Sequence, residues 1–356
     1  MTKPGGPDPR AMVDWDLAVR VASRIAGDGP EVSRTEAEDA VVELRDGANA
    51  STAYVRDFTG LETPVHDDPE RGAPVLVVDR PGWIQANADA FGHLLGPLVD
   101  RLTERKAPSG LAVAVGSRVT GVEVGGLLGF LAGKVLGQFD PFHAPDGRLL
   151  LVAPNIVHVE RELDVDPHDF RLWVCLHEET HRVQFTAVPW MREHLFSEVQ
   201  ALAATVSPSG VDETFKRVTE TIRGGPQRLG SASIVDLMST PEQRDILDRV
   251  TGMMSLLEGH ADVVMDGVGP TVIPSVGTIR RRFNQRRKGA GSLDRLLRRL
   301  LGLDAKMAQY RDGAEFVRAI VDKVGMAEFN AVWDRAENLP SKAELSDPEA
   351  WVSRVL

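Results

Sequence analysis

Glycine recurs at every fourth position through GVEVGGLLGFLAGKVLG, at Gly121, Gly125, Gly129, Gly133 and Gly137. Residues four apart share one face of an α-helix, so this spacing cuts a smooth groove into which a second helix backbone can settle. Each glycine costs a helix about 1 kcal/mol relative to alanine, so the groove implies a close partner. The expected partner is a helix of the C-terminal lobe described below. A membrane span is excluded by length: Glu123 and Lys134 leave ten uncharged residues between them, against the roughly 20 that a bilayer requires. The stretch therefore reads as a buried helix of a water-soluble protein. GQFDPFHAPDG (137–147) reads as the turn that closes it.

Helical periodicity dominates elsewhere. DWDLAVRVASRIA (14–26) is amphipathic, and Ser33 with Glu36 forms a capping box for a helix running to about Phe58. A further helix is read over 83–105. VLVVD (75–79) and RLLLVAP (148–154) are the strand candidates. The fold class is mainly α with a small β element. At 356 residues the chain is long enough for two lobes: a leader over 1–12, an N-terminal helical lobe over 13–165 with the glycine-rich helix and short strands, and a second helical lobe over 166–356. The opening residues lack the apolar core of a secretory signal, and Cys175 is the single cysteine, so a reducing, cytoplasmic location is expected. The net charge of −11 argues against a nucleic-acid partner. The basic run RRRFNQRRK (280–288) reads as a solvated helix end balancing an acidic protein.

The chemistry concentrates in WVCLHEETHRVQF (173–185). Asp166 and Pro167 supply an N-cap and a first helical residue, so the helix runs from about Pro167 to Phe185. At 100° per residue, His177 and His181 lie about 40° apart, flanked by Phe170, Trp173, Val174 and Phe185. Glu178 and Glu179 fall on an adjoining polar arc, Glu179 outermost. Imidazoles at i and i+4 can converge on one tetrahedral Zn2+. Glu178, rotated off the ligand positions, can reach a water beside the metal as a general base.

A third ligand is then required. Gln184 and Ala187 exclude the extended histidine motif of one large class of zinc peptidases. SLLEGHADVVMD (255–266) places Glu258 and Asp262 on one helix face. Glu258 would complete a His2Glu set, and Asp262 would take the N–H of one ligand imidazole. His260 points about 200° away from Glu258. Glu193, His194 and Glu198 stay open as alternative ligands. Tyr310, or an arginine of 280–287, could donate to the oxyanion of an attacked carbonyl.

HEETHRVQF, EGHAD and LGFLAGKVLGQFD, in a chain opening VDWDLAVRVASRIA, together resemble the actinobacterial zincin-like metallopeptidase family, in the branch associated with coenzyme F420 biosynthesis. The resemblance covers the chain from about Val13. It implies a gluzincin-like, two-lobed architecture with its zinc cleft between lobes, metal ligands at His177, His181 and Glu258, and a catalytic glutamate at Glu178. The expected activity is a zinc metallohydrolase, a peptidase acting on peptide substrates. Two rivals stand beside it: a non-catalytic zinc-containing scaffold, and a hydrolase of a small amide linked to F420 metabolism. Neither the residues nor the resemblance bears on oligomeric state.

Overall fold

The computed structural model describes residues 13–64, 73–105, 110–205, 240–288 and 303–356. The expected leader over 1–12 lies outside the described residues. Two compact units emerge, one of Met1–Ser51 with Val65–Arg182, the other of Thr52–Pro64 with Val183–Leu356. The boundary between these units falls between 182 and 183, inside a continuous helix, and a short segment from the N-terminal half joins the second unit. Among the described residues no helix is long and apolar enough to cross a membrane.

The first unit opens with α1 (Trp15–Ala26), whose first turn is capped where Leu17 N–H donates to Asp14 Oδ1 at 2.9 Å. α2 (Arg34–Thr59) begins with the expected capping box: Ser33 N–H donates to Glu36 Oε2 at 2.8 Å and Glu36 N–H to Ser33 Oγ at 3.2 Å. Then follow β1 (Val75–Val78), α3 (Arg80–Arg105), α4 (Gly110–Ala132), β2 (Gly137–Asp140), β3 (Arg148–Val152), α5 (Ala153–Leu163) and α6 (Pro167–Ala187). The sheet order is β1-β3-β2, with β1 parallel and β2 antiparallel to β3. Leu149 to Val152 of β3 are all buried, as a central strand covered on both faces must be. That is why its apolar residues run on without alternating.

The glycine helix is longer than expected at its start and shorter at its end, spanning Gly110–Ala132. Its partner is α1, not a helix of the C-terminal lobe. A Cβ on Gly121, Gly125 or Gly129 would stand 2.7, 2.6 and 2.7 Å from the carbonyl oxygens of Asp14, Ala18 and Ala22. These partners also recur every four residues, so two small-residue ridges lie face to face. The alanine spacing in α1 was a readable signal of this pairing. Gly133 falls beyond the helix, and Gly137 belongs to β2, a strand formed where a turn was expected.

Buried Asn155 ties these elements together. Its Nδ2 donates to Ala132 O and Val135 O, both at 2.7 Å, satisfying carbonyls at the end of α4 and in the turn after it. Its Oδ1 accepts from Arg80 Nε at 2.7 Å, and Arg80 Nη1 donates to Ala26 O, the last residue of α1, at 2.6 Å.

The second unit comprises the last turns of α2 and α6, then α7 (Pro189–Ala204), α8 (Pro241–Val272), α9 (Val276–Lys288), α10 (Leu303–Val324), α11 (Met326–Phe329) and α12 (Pro348–Val355). Thr240 and Gln243 form a capping box at the start of α8. α8 and α10 touch backbone to backbone: a Cβ on Gly259 would stand 2.2 Å from Gly313 C, and one on Gly313 2.0 Å from Ser255 O. His260, Phe316, Phe329, Trp333 and Trp351 are buried. The indole N–H of Trp351 reaches Asn338 O at 2.7 Å, and that of Trp190 reaches Trp333 O at 2.8 Å.

Candidate metal centre

α6 starts as the sequence implies, with Asp169 N–H donating to Asp166 Oδ1 at 3.0 Å and Pro167 at the first helical position. Its outer anchor is Arg171. The guanidinium grips Glu160 of α5 through Nε and Nη2 at 2.9 and 2.6 Å, and its Nη1 also bonds Glu43 of α2. Burial pushes the Glu160 carboxyl above its usual range, and the hydrogen bonds and charge of Arg171 pull the other way.

Phe170, Val174, Cys175, Leu176, Thr180 and Val183 are buried, while His177 and His181 are half-buried. The two imidazoles approach with ring centroids 4.9 Å apart and planes 88° apart. Glu179, expected on the outer arc, is instead fully buried, its carboxylate held by Arg182 Nε at 3.0 and 2.8 Å. The helix is enclosed on more sides than an amphipathic pattern suggests, so this charge needed a partner within its own helix.

Glu178 is 8% exposed and lies against β2. A Cβ on Gly137 would stand 2.4 Å from Glu178 Cγ, 2.6 Å from Cδ and 2.9 Å from Oε1. The carboxylate therefore occupies space that only glycine leaves open. The neighbouring strand residue is braced: Gln138 Oε1 accepts from Trp83 Nε1 at 2.8 Å, Gln138 Nε2 donates to Asn87 Oδ1 at 3.1 Å, and Asn87 Nδ2 donates to Trp83 O at 2.9 Å. β2 thus holds its position beside Glu178. In the sequence Gly137 follows the four-residue spacing of the groove, so no local pattern signals its place beside Glu178.

One ligand atom from each of His177, His181 and Glu258 lies within 4.8 Å of the other two, close enough to share an ion. Two imidazoles and one carboxylate are the donor set that suits zinc with a fourth position left for water. Glu258 is half-buried in the middle of α8.

Asp262 departs from expectation. Its Oδ1 accepts from Arg280 Nη1 at 3.1 Å and its Oδ2 from Arg318 Nη2 at 2.7 Å. Asp266, one turn on, bonds the same two guanidiniums at 2.9 and 2.5 Å. Asp262 therefore joins α8 to α9 and α10. The sequence placed it on Glu258's face but could not show that two arginines from other helices converge there. The basic run accordingly contributes Arg280 to this network.

Of the alternative ligands, Glu198 is buried and held by Arg249 at 2.9 and 2.8 Å. Glu193 and His194 line an open pocket of about 480 Å3 with Trp190, Ser197 and Arg335. His260 is fully buried, facing Gln184. Tyr310 lies on α10, its side chain outside the described residues.

Over residues 13–352 the chain matches the family model of the zincin-like metallopeptidases. It belongs to that family. A crystal structure from Chloroflexus aurantiacus, described as a candidate hydrolase with a novel fold, is similar at 31% identity and a TM-score of 0.70, over 96% of this chain and 98% of that one. No functionally curated protein matches the chain.

Proposed function

We propose that the protein is a zinc-dependent hydrolase that cleaves peptide bonds, with His177, His181 and Glu258 holding the metal and Glu178 acting as general base. The observation that carries this reading is the convergence of two imidazoles and one carboxylate within 4.8 Å. Membership of a metallopeptidase family and likeness to a candidate hydrolase support it.

When bound, zinc supplies a Lewis acid for the scissile carbonyl and for a water beside it. Glu178 then takes a proton from the attacking water and passes it to the departing amine. Its near-complete burial suits that task, because bulk water is kept from the carboxylate. Gly137 holds the carboxylate's space open, and Arg182 keeps the neighbouring Glu179 charge occupied. A structural zinc site has no need for a carboxylate held in this way, which weighs against the scaffold reading. β2 favours a peptide over a small amide. It is an edge strand of its sheet, beside Glu178, and an edge offers backbone donors and acceptors to an extended chain.

The test is metal analysis of the purified protein paired with Glu178→Gln in a broad peptide-library assay. Near-stoichiometric zinc in both proteins, with cleavage by wild type alone, is the expected result. Zinc without cleavage of any peptide by wild type would overturn the peptidase reading.

A further inference from the structure

Gln184 lies three residues after His181 on α6, fully buried, in a position where the ligand set above gives it no task. Its Nε2 donates to Leu257 O at 3.0 Å and faces His260 Nδ1 at 2.9 Å. These contacts bracket Glu258 on both sides in the sequence. A backbone carbonyl can only accept, so the group facing Leu257 is the amide NH2. His260 Nδ1, facing the same NH2, is then the acceptor and the ring carries its proton on Nε2. His260 is itself held by Phe329, stacked at 5.8 Å, and by Trp333, edge-on at 5.3 Å.

The far side of α8 is equally constrained. Gly259 meets Gly313 of α10 with no room for a Cβ, and a Cβ on Gly252 would stand 2.6 Å from Pro340 O. At the level of Glu258, α8 can neither slide nor roll away from α10. The remaining freedom is the approach of α8 to the end of α6, and a side chain from α6 itself sets it. Gln184 lies on the same continuous helix as both histidines, so its bond to Leu257 O refers the backbone beside Glu258 to that helix.

We infer that Gln184 is a positioning residue for the metal site: its amide, seated against His260, sets the distance at which Glu258 meets His177 and His181. This rests on the zinc reading above. Residues that orient metal ligands from behind typically alter metal affinity by about 10–100-fold when removed. Asp262, the residue expected to act in this way, is engaged by Arg280 and Arg318.

The test is a double-substitution cycle read by metal affinity, not by turnover. Zinc affinity is measured by chelator competition for wild type, Gln184→Met, Glu258→Ala and the double variant. Gln184→Met keeps the side chain's approximate volume and removes the donor. It is expected to weaken zinc binding at least about tenfold in the wild-type background and to have no further effect once Glu258 is absent. The Co2+-substituted Gln184→Met protein should show a shifted visible absorption band, a readout that a general loss of stability does not move. Gln184→Glu, equal in length and lacking the donor, repeats the cycle if the methionine variant does not fold. Equal loss in both backgrounds, or unchanged affinity in the wild-type background, would overturn the inference while leaving the zinc reading intact. No zinc binding by wild type would overturn both.

Discussion

Gly137→Ala tests the candidate site with one methyl group. Gly137 does not adopt a left-handed φ, so alanine brings no backbone strain and the outcome depends on space alone. The added Cβ would stand 2.4 Å from Glu178 Cγ and 2.6 Å from Cδ. Ordinary van der Waals contact begins at 3.4 Å, so the carboxylate must retreat by about 1 Å or β2 must move back. β2 is poorly placed to yield, since Gln138 is fixed by Trp83 and Asn87 and the strand is paired along β3. Glu178 should move. A misplacement of about 1 Å can cost roughly 100-fold in rate, and overpacking costs about 1–3 kcal/mol of stability. The assay is cleavage of the best substrate from the peptide library, alongside zinc content and thermal unfolding. The expected result is kcat/KM reduced about 100-fold with zinc retained. Full activity in a folded Gly137→Ala protein would refute the reasoning, as would loss of zinc equal to that of His177→Ala, since the clash is with Glu178 and not with a ligand.

Gly125→Leu should disrupt the α1–α4 contact, because even a Cβ there meets Ala18 O at 2.6 Å and Val21 Cβ at 2.9 Å. A destabilisation of about 3 kcal/mol or more is expected, measured by denaturant unfolding, while Gly126→Leu, where nothing lies within 4 Å, should raise stability by up to about 1 kcal/mol through helix propensity. Cys175 should resist thiol reagents at pH 8 in the native protein and react fully on denaturation, followed by absorbance with a chromogenic disulfide. Burial pushes its thiol well above the usual range, and the charges of Glu179, Glu178 and Glu43 push it further.

Much of the candidate metal site is legible because it obeys short-range geometry. His177 and His181 are one helical turn apart, and a helix fixes that relation whatever surrounds it. Glu258 was reachable for a different reason: an acid in an otherwise apolar helix must have something to do. Its neighbour Asp262 follows the same helical spacing, but the arginines that hold it come from positions 280 and 318, which no local pattern reveals. The glycine ladder declared a groove but not its occupant, although Ala18, Ala22 and Ala26 repeat the same interval. β2 reads as a turn in the sequence because four residues carry too little periodicity to compete with the glycine and prolines around them.

The sequence by itself determined a mainly helical chain, the helix bearing the histidine pair with its adjacent glutamate, and the acid that joins them. These rest on periodicity, capping and the cost of burying charge, which act within a few residues. The tertiary structure decided which surfaces meet: α1 in the glycine groove, Gly137 against Glu178, Gln184 against Leu257, and two arginines on Asp262. Contacts between residues far apart in the chain depend on how whole elements pack, and no local pattern encodes them.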